Sequence, residues 1–153
     1  MPSLDEIDRE ILRHLQNDGK MSLQKLADHL NMSTSPCWRR VQRLQDDGFI
    51  KQYVAILDSK ALGLNAQAYL QVTLIDHKED TILAFENFVA NEDQVVECAS
   101  ITGQSDFFLK VVAKDPEALE HFIMKRILRS GLVGTSNTNF ILRGTKSSVA
   151  LPV

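Results

Sequence analysis

Three arginines lie close together near residue 40, and their type and spacing suit contacts with nucleic acid. Arg39, Arg40 and Arg43 fall within five residues, and no Asp or Glu occurs between Met32 and Gln45. A guanidinium group presents a planar fork of N–H donors that matches phosphate oxygens or the edge of guanine. The sequence therefore predicts three locally uncompensated arginines that either stay in water or contact DNA.

An amphipathic helix is expected to position these arginines. Cys37, Val41 and Leu44 recur at i, i+4 and i+7, which places them on one apolar stripe of a 3.6-residue spiral. The arginines project away from that stripe. Because proline has no N–H to donate, the helix is expected to begin with Pro36 as its first residue and Ser35 as its cap.

A shorter amphipathic helix comes just before it. Ser22 is the predicted N-cap, and the apolar stripe that follows consists of Leu23, Leu26, Ala27 and Leu30. Two short helices with so brief a connection must cross steeply, which is the geometry of the helix-turn-helix DNA-binding unit. The alternative is a plain helical hairpin whose arginine face is only solvated.

In such a unit the N-terminal part of the second helix lies nearest the base edges of the major groove. The predicted DNA-binding residues are therefore Ser33, Thr34, Ser35, Trp38, Arg39, Arg40 and Arg43. The hydroxyl groups and the helix N-terminus also suit phosphate, and the sequence leaves open which arginines read bases. Trp38 has a second interpretation as a cap on the bundle core, because large aromatic side chains are so often buried.

The distribution of charge along the chain is also compatible with DNA binding. The net charge is −3, but residues 1–57 hold eight basic and eight acidic side chains, while residues 58–153 hold nine and twelve. The local field governs the approach to DNA more than the total charge does. A near-neutral binder is expected to rely on several copies that dock together, so the sequence predicts a homo-oligomer.

Other classes of protein are disfavoured by what the sequence lacks. No apolar run approaches the ~20 residues that span a bilayer, and acids crowd the first fifteen residues, so we expect a cytoplasmic protein with no membrane partner. Cys37 and Cys98 form no metal-ligand spacing, and both are expected to be buried. The four histidines are scattered, with no nucleophile or metal motif beside them. We therefore predict no metal, no cofactor and no catalytic residue.

The chain divides into a bundle, a linker and a larger domain. A first helix over Leu4–Asn17 completes a three-helix, winged-helix-like bundle over residues 1–50. Its inward side chains are expected to be Ile7, Ile11, Leu12 and Leu15. The β-forming run Phe49–Leu57 predicts a strand that leaves the bundle, within a strand-and-linker segment over residues 51–64. The remaining domain covers residues 65–153.

The hydrophobic period changes after residue 65 and predicts an α+β domain. The expected elements, in order, are a strand through Leu70, Val72 and Leu74, a helix over Glu79–Asn91, strands over Val95–Thr102 and Phe107–Ala113, a helix opened by Asp115-Pro116, and a strand over Thr135–Arg143. The order βαββαβ is that of a ferredoxin-like sandwich with both helices on one sheet face. Tyr69, Thr73 and Phe108 favour a second copy as the cover of the other face. The last residues, Lys146–Val153, are either an ordered interface or a frayed tail.

These features together resemble the Lrp/AsnC family of regulators. The resemblance is carried by SPCWRRVQRLQDDGFI at Ser35–Ile50, GQSDFFLK at Gly103–Lys110 and TKSSVALP at Thr145–Pro152, and it covers nearly the whole chain in the right order. It implies a bacterial or archaeal transcription factor on double-stranded DNA, associated with the nucleoid. It also implies a RAM-type domain that forms homodimers, often assembled into octamers, and that senses an amino acid between dimers.

The resemblance also implies an effector site around the loop that precedes Phe107. Gly103 permits an unusual backbone conformation, free N–H groups of a loop can hold a carboxylate, and Asp106 could meet an α-amino group. The predicted effector-binding residues are Ile101, Thr102, Gly103, Gln104, Ser105 and Asp106, with Thr135, Ser136 and Thr138 as weaker candidates. From the residues alone, the alternative is a tight hairpin whose Asp bonds its own backbone. The loop reads Gly-Gln-Ser-Asp, whereas many relatives have an acidic residue and an aromatic at its two middle positions.

Two other functions remain open from the sequence. One is a ligand-independent, architectural DNA-binding protein. The other is an allosteric oligomerisation module that binds no DNA, which would leave the arginine helix without a purpose. Specific DNA binding that weakens steeply with salt separates these possibilities, because phosphate contacts release counterions.

Overall fold

The computed structural model describes residues 3–153, which form two compact units. One unit, here called the helical unit, comprises the chain up to Ile56 together with Lys146–Val153. The other, here called the α/β unit, comprises Leu57–Thr145. No helix within residues 3–153 combines the length and the apolar character that crossing a membrane requires.

The helical unit contains three helices around a small core. The helices are α1 (Glu6–Asn17), α2 (Leu23–His29) and α3 (Thr34–Asp46). The fully buried apolar side chains are Ile11, Leu26, Ala27, Cys37 and Leu44. The predicted bundle, the stripes of α2 and α3 and the burial of Cys37 are confirmed, since these residues form one cluster.

The ends of the helices follow capping chemistry, with one correction. Ser22 caps α2 as predicted, and its hydroxyl accepts from the Lys25 N–H at 3.2 Å. The prediction for α3 was wrong, because Ser33 is its cap and Pro36 is its third residue rather than its first. The N–H groups of the whole first turn lack intrahelical acceptors, so a proline is tolerated there as readily as at the first position.

Two further predictions for this unit were wrong. The run Phe49–Leu57 forms no β-strand, and its side chains are largely exposed. A β-former needs a neighbouring strand for its backbone groups, and this run pairs with none in residues 3–153. Ile7 is 39% exposed, because the neighbouring Asp8 takes the buried position and bonds to α3.

The C-terminal segment is ordered against α1. The Gln16 side chain both donates to the Leu151 carbonyl and accepts from the Leu151 N–H, each at 2.9 Å. Arg13 Nε donates to the Val153 carbonyl oxygen at 2.8 Å. Of the two expectations for this segment, an ordered piece is therefore the one that the structure shows.

The α/β unit has the predicted βαββαβ order. Its elements are β1 (Ala66–Leu74), α4 (Glu79–Ala90), β2 (Val95–Ser100), β3 (Phe107–Ala113), α5 (Pro116–Phe122) with a π turn over Ile123–Ile127 and a 3₁₀ turn over Leu128–Ser130, and β4 (Val133–Phe140). The strands lie in the order β2-β3-β1-β4, and every neighbouring pair is antiparallel. This topology confirms the ferredoxin-like fold.

The sheet has one buried and one open face. Leu70 and Val72 of β1 and Leu109 of β3 are buried against helical residues that include Phe85 and Leu119. On the opposite face the rings of Tyr69 and Phe108 meet at 4.9 Å and stay partly exposed. Cys98, which was expected to be buried, is exposed instead. It lies on β2, an edge strand whose side chains are almost all in solvent.

Asp76 ties down the start of α4 and gives this unit a pH dependence. Its carboxylate accepts from Thr81 Oγ1 at 2.6 Å, from the Lys78 N–H at 3.1 Å, and pairs with Lys78 Nζ at 2.9 Å. These contacts, the Thr81 hydroxyl first, lower the pKa of Asp76 from 3.8 to about 2.

We expect Asp76→Asn to destabilise the α/β unit at pH 7 and to do so much less at pH 2. The folded-state pKa is below the unfolded one, so the carboxylate's contribution is complete above pH 4 and is lost as the pH falls through about 2. Denaturant melts of both proteins at a series of pH values measure the difference. A pH-independent gap between the two proteins would contradict this assignment.

Candidate nucleic-acid and effector sites

The outer face of α3 carries most of the residues predicted to bind DNA. Ser33, Ser35 and Arg39 are exposed, and Thr34 is half-buried beside them. Arg39 has no carboxylate within 4.0 Å among residues 3–153. This part of the helix therefore presents hydroxyl groups, free backbone donors and one unpaired guanidinium to solvent.

Trp38 does not cap the core. The residue is 52% exposed and lines a surface groove of about 250 Å³ together with Val41 and Tyr53. Burial raises the pKa of the Tyr53 hydroxyl, which stays protonated at neutral pH. The alternative placement of Trp38 in the core was therefore wrong.

The other two arginines are not free, which corrects the prediction of three uncompensated cations. Arg40 Nη1 donates to Asp5 Oδ2 and to Asp8 Oδ1, both at 2.7 Å. Arg43 Nη2 donates to Asp8 Oδ2. The Asp8 carboxylate is only 1% exposed, so it links the beginning of α1 to α3 from within the unit.

The geometry of the Asp5–Arg40 pair favours its ionised form. The Asp8 backbone N–H and the Arg40 guanidinium lower the pKa of Asp5, and hydrogen bonds to Asp5 and Asp8 raise the pKa of Arg40. Arg39, Arg40 and Arg43 together line an open groove of about 350 Å³. All three guanidinium groups therefore share one surface, two of them in fixed positions.

The loop over Ile101–Asp106, which the sequence predicts to bind an effector, is pinned to the end of β1. The Asp106 N–H donates to the Val72 carbonyl at 2.9 Å, and Asp106 Oδ2 accepts from the Leu74 N–H at 2.8 Å. Asp106 Oδ1 lies 2.9 Å from His77 Nε2. The carboxylate thus bonds to a neighbouring strand and not, as one prediction held, to its own backbone. His77 was missed by sequence reasoning, because only the tertiary fold brings it to the loop.

The loop combines a fixed carboxylate with open backbone donors. The Leu74 N–H, followed by the His77 ring, holds the pKa of Asp106 below its usual range, so this group stays charged at neutral pH. Gly103 has φ +123°, a conformation that a residue with a Cβ rarely adopts. The N–H groups of residues 102–105 meet no acceptor within the described chain. The loop can therefore present both signs of charge to a small ligand.

The weaker candidates for effector binding, Thr135, Ser136 and Thr138 on β4, do not all lie on one face of the sheet. Thr135 lies opposite Thr73, whereas Ser136 lies opposite Val72, whose side chain is in the core. Successive side chains of a strand point to opposite sheet faces, so Thr135 and Ser136 cannot line one pocket through their side chains. Thr138 shares the face of Ser136 and not that of Thr135.

Comparison with known proteins agrees with this architecture. Residues 4–51 match the model of a winged helix-turn-helix DNA-binding domain, and residues 67–151 match that of the Lrp/AsnC ligand binding domain. The fold and the sites therefore define a transcriptional regulator with a DNA-binding and a ligand-binding domain.

Relatives of full length support this class. The chain is 33% identical over 150 residues to the transcriptional regulator AzlB of Bacillus subtilis, covering 98% of this chain and 96% of AzlB. It is 33% identical over 152 residues to the DNA-binding transcriptional activator DecR of Escherichia coli K12, covering 98% and 99%. A crystal structure of a Neisseria meningitidis transcriptional regulator in complex with L-Met superposes with a TM-score of 0.95 at 31% identity, covering 98% and 97%. The chain belongs to the Lrp/AsnC family of transcriptional regulators.

Proposed function

We propose that this regulator reads double-stranded DNA with the outer face of α3, and that Arg39 supplies its principal free cation. The observation that carries the proposal is the exposed guanidinium of Arg39 on the helix that the hydroxyl-bearing residues Ser33, Thr34 and Ser35 begin. That end of a helix suits phosphate oxygens, and an arginine fork suits guanine. Arg40 and Arg43 keep further N–H donors for phosphate, and Trp38 flanks the same surface. The protein acts by binding rather than catalysis, on the bacterial chromosome in the cytoplasm.

The active species is a homodimer that assembles further, up to an octamer. The open sheet face supports this, because Tyr69 and Phe108 place two contacting aromatic rings there, on the side opposite α4 and α5. Two copies would bring two α3 helices to successive half-sites, as dimeric helix-turn-helix proteins do. Several DNA-binding units in one assembly also bind more tightly than a single unit, which compensates for the repulsion between DNA and a chain with a net charge of −3.

An amino acid binds at the loop over Ile101–Asp106 and shifts the balance between assemblies. Three features support this: the ionised carboxylate of Asp106, the unbonded N–H groups of residues 102–105, and the Neisseria relative crystallised with L-Met. Asp106 meets the ammonium group, and the loop N–H groups meet the carboxylate. Thr135 of β4 pairs with Thr73, whose hydroxyl donates to the Gln104 carbonyl of the loop at 3.3 Å. The ligand shifts the assembly only by its difference in affinity for the two states.

Titration of labelled genomic fragments at two salt concentrations tests the DNA proposal. We expect specific binding whose affinity falls steeply as salt rises, since several phosphate contacts release counterions. Mass measurement of the free and DNA-bound protein tests the assembly. A protein that binds no fragment at low salt would contradict the proposal.

We expect Asp106→Asn to weaken amino-acid binding about tenfold or more. The substitution keeps the size of the side chain but removes the charge that meets the ammonium group, and charge-assisted hydrogen bonds are about twice as strong as neutral ones. Thermal-shift screening with the twenty amino acids selects a ligand, starting from L-Met, and calorimetry measures both proteins. Glu120→Gln is the control, because it removes an equal charge from an exposed position on α5, outside the loop. Equal affinity of Asp106→Asn and the parent would refute the ammonium contact.

A further inference from the structure

The buried carboxylate of Asp8 makes more contacts than helix capping needs. Asp8 Oδ2 accepts from the Asp5 N–H at 3.1 Å, which completes the capping box of α1. The same carboxylate also bonds to Arg40 at 2.7 Å and to Arg43. Because Asp8 is only 1% exposed, its carboxylate is held in place and fixes the guanidinium groups of Arg40 and Arg43.

These contacts change the charge of the DNA-facing groove. Arg39, Arg40 and Arg43 bring three positive charges to it, and Asp5 and Asp8 bring two negative ones, so the cluster has a net charge of +1 rather than +3. Non-specific DNA affinity comes almost entirely from neutralised phosphates. The aspartates therefore lower the sequence-independent attraction, while the arginines keep donors for a precisely placed contact.

We propose that Asp8, assisted by Asp5, is a positioning residue that sets the ratio of specific to non-specific DNA affinity. The inference rests on the proposed function of α3. Asp8 acts through the two guanidinium groups and does not itself contact DNA. The fixed N–H donors of Arg40 and Arg43 favour a cognate site, because its acceptors match their positions. Partial neutralisation of the two arginines by Asp5 and Asp8 weakens non-specific binding, because that binding depends on positive charge alone.

The test compares Asp8→Asn with Glu10→Gln in the full-length protein. Glu10 is exposed on the same helix and has no cation within 4.0 Å among the described residues, so its substitution removes the same charge without freeing an arginine. For Asp8→Asn we expect non-specific affinity for random-sequence duplex to rise about tenfold near 50 mM salt. The slope of log affinity against log salt should steepen by about 1. Affinity for a cognate duplex should rise less than affinity for random-sequence duplex, so the ratio of specific to non-specific affinity falls. Glu10→Gln should change neither slope nor ratio.

A second background separates positioning from a merely structural effect. In Arg40→Gln/Arg43→Gln, Asp8→Asn has no cation to release, and its effect on the salt slope should disappear. Asp5→Asn keeps an N-cap residue and removes one contact to Arg40, so it provides a milder version if Asp8→Asn folds poorly. An unchanged ratio and slope in both Asp8→Asn and Asp5→Asn would overturn the inference, as would an effect that persists without the two arginines. A parent protein that binds no DNA would instead refute the proposed function.

Discussion

Arg39→Ala is expected to reduce affinity for the cognate site by about 1–3 kcal/mol, or roughly five- to 150-fold, if the guanidinium reads a base. The reason is that Arg39 is exposed in the groove of α3 and, among residues 3–153, is not paired with a carboxylate. Fluorescence anisotropy with a selected duplex at fixed salt measures the loss. Lys125→Ala is the matched control, because it removes an equal charge from an exposed position in the α/β unit.

Arg39→Lys distinguishes two kinds of contact. Lysine keeps the charge but lacks the planar fork, so a bidentate contact to guanine should be lost while a phosphate contact is largely kept. A loss shared equally by cognate and random duplex would assign Arg39 to the phosphate backbone. Full cognate affinity in a folded Arg39→Ala protein would show that Arg39 does not contribute to DNA binding.

Features that depend on local sequence were predicted well. The stripe of Cys37 and Leu44 on α3, and the alternation of Leu70 and Val72 on β1, follow from the periods of helix and strand. The Ser22 cap follows from hydrogen bonds within one turn. In Ser33-Thr34-Ser35-Pro36 more than one residue can serve as the N-cap. The same rules therefore predicted that α3 begins at Pro36, two residues after its actual start at Thr34.

Features that depend on distant partners were not predictable in the same way. The β-forming run Phe49–Leu57 reads as a strand from composition, yet a strand exists only where another segment supplies its ladder. The pairing of Arg40 with Asp8 joins residues 32 positions apart. The acids of α1 were visible in the sequence, but which arginines they meet depends on how α1 and α3 cross. His77 and Asp106 meet for the same kind of reason.

Phe85→Ala is expected to destabilise the α/β unit by about 3–5 kcal/mol. Phe85 is 0% exposed on α4, and its ring lies 4.8 Å from the Phe107 ring and 6.5 Å from that of Phe88. Truncation removes the buried ring and leaves a cavity that the sheet cannot close fully. Leu83→Ala on the same helix is the control, because Leu83 is 49% exposed and its loss should cost well under 1 kcal/mol.

Native-state hydrogen exchange of the β3 amides is the appropriate measurement, because a chain of two compact units need not unfold in one step. The effect should reach the proposed effector-binding loop Ile101–Asp106, since the buried Phe107 begins β3 directly after Asp106. We therefore expect Phe85→Ala to weaken amino-acid binding as well, in contrast to Leu83→Ala. Equal protection of β3 in the two variants would contradict the packing of Phe85 against Phe107 of β3. Lost protection with unchanged amino-acid affinity would mean that the loop is held by its bonds to β1 and not by the core beneath it.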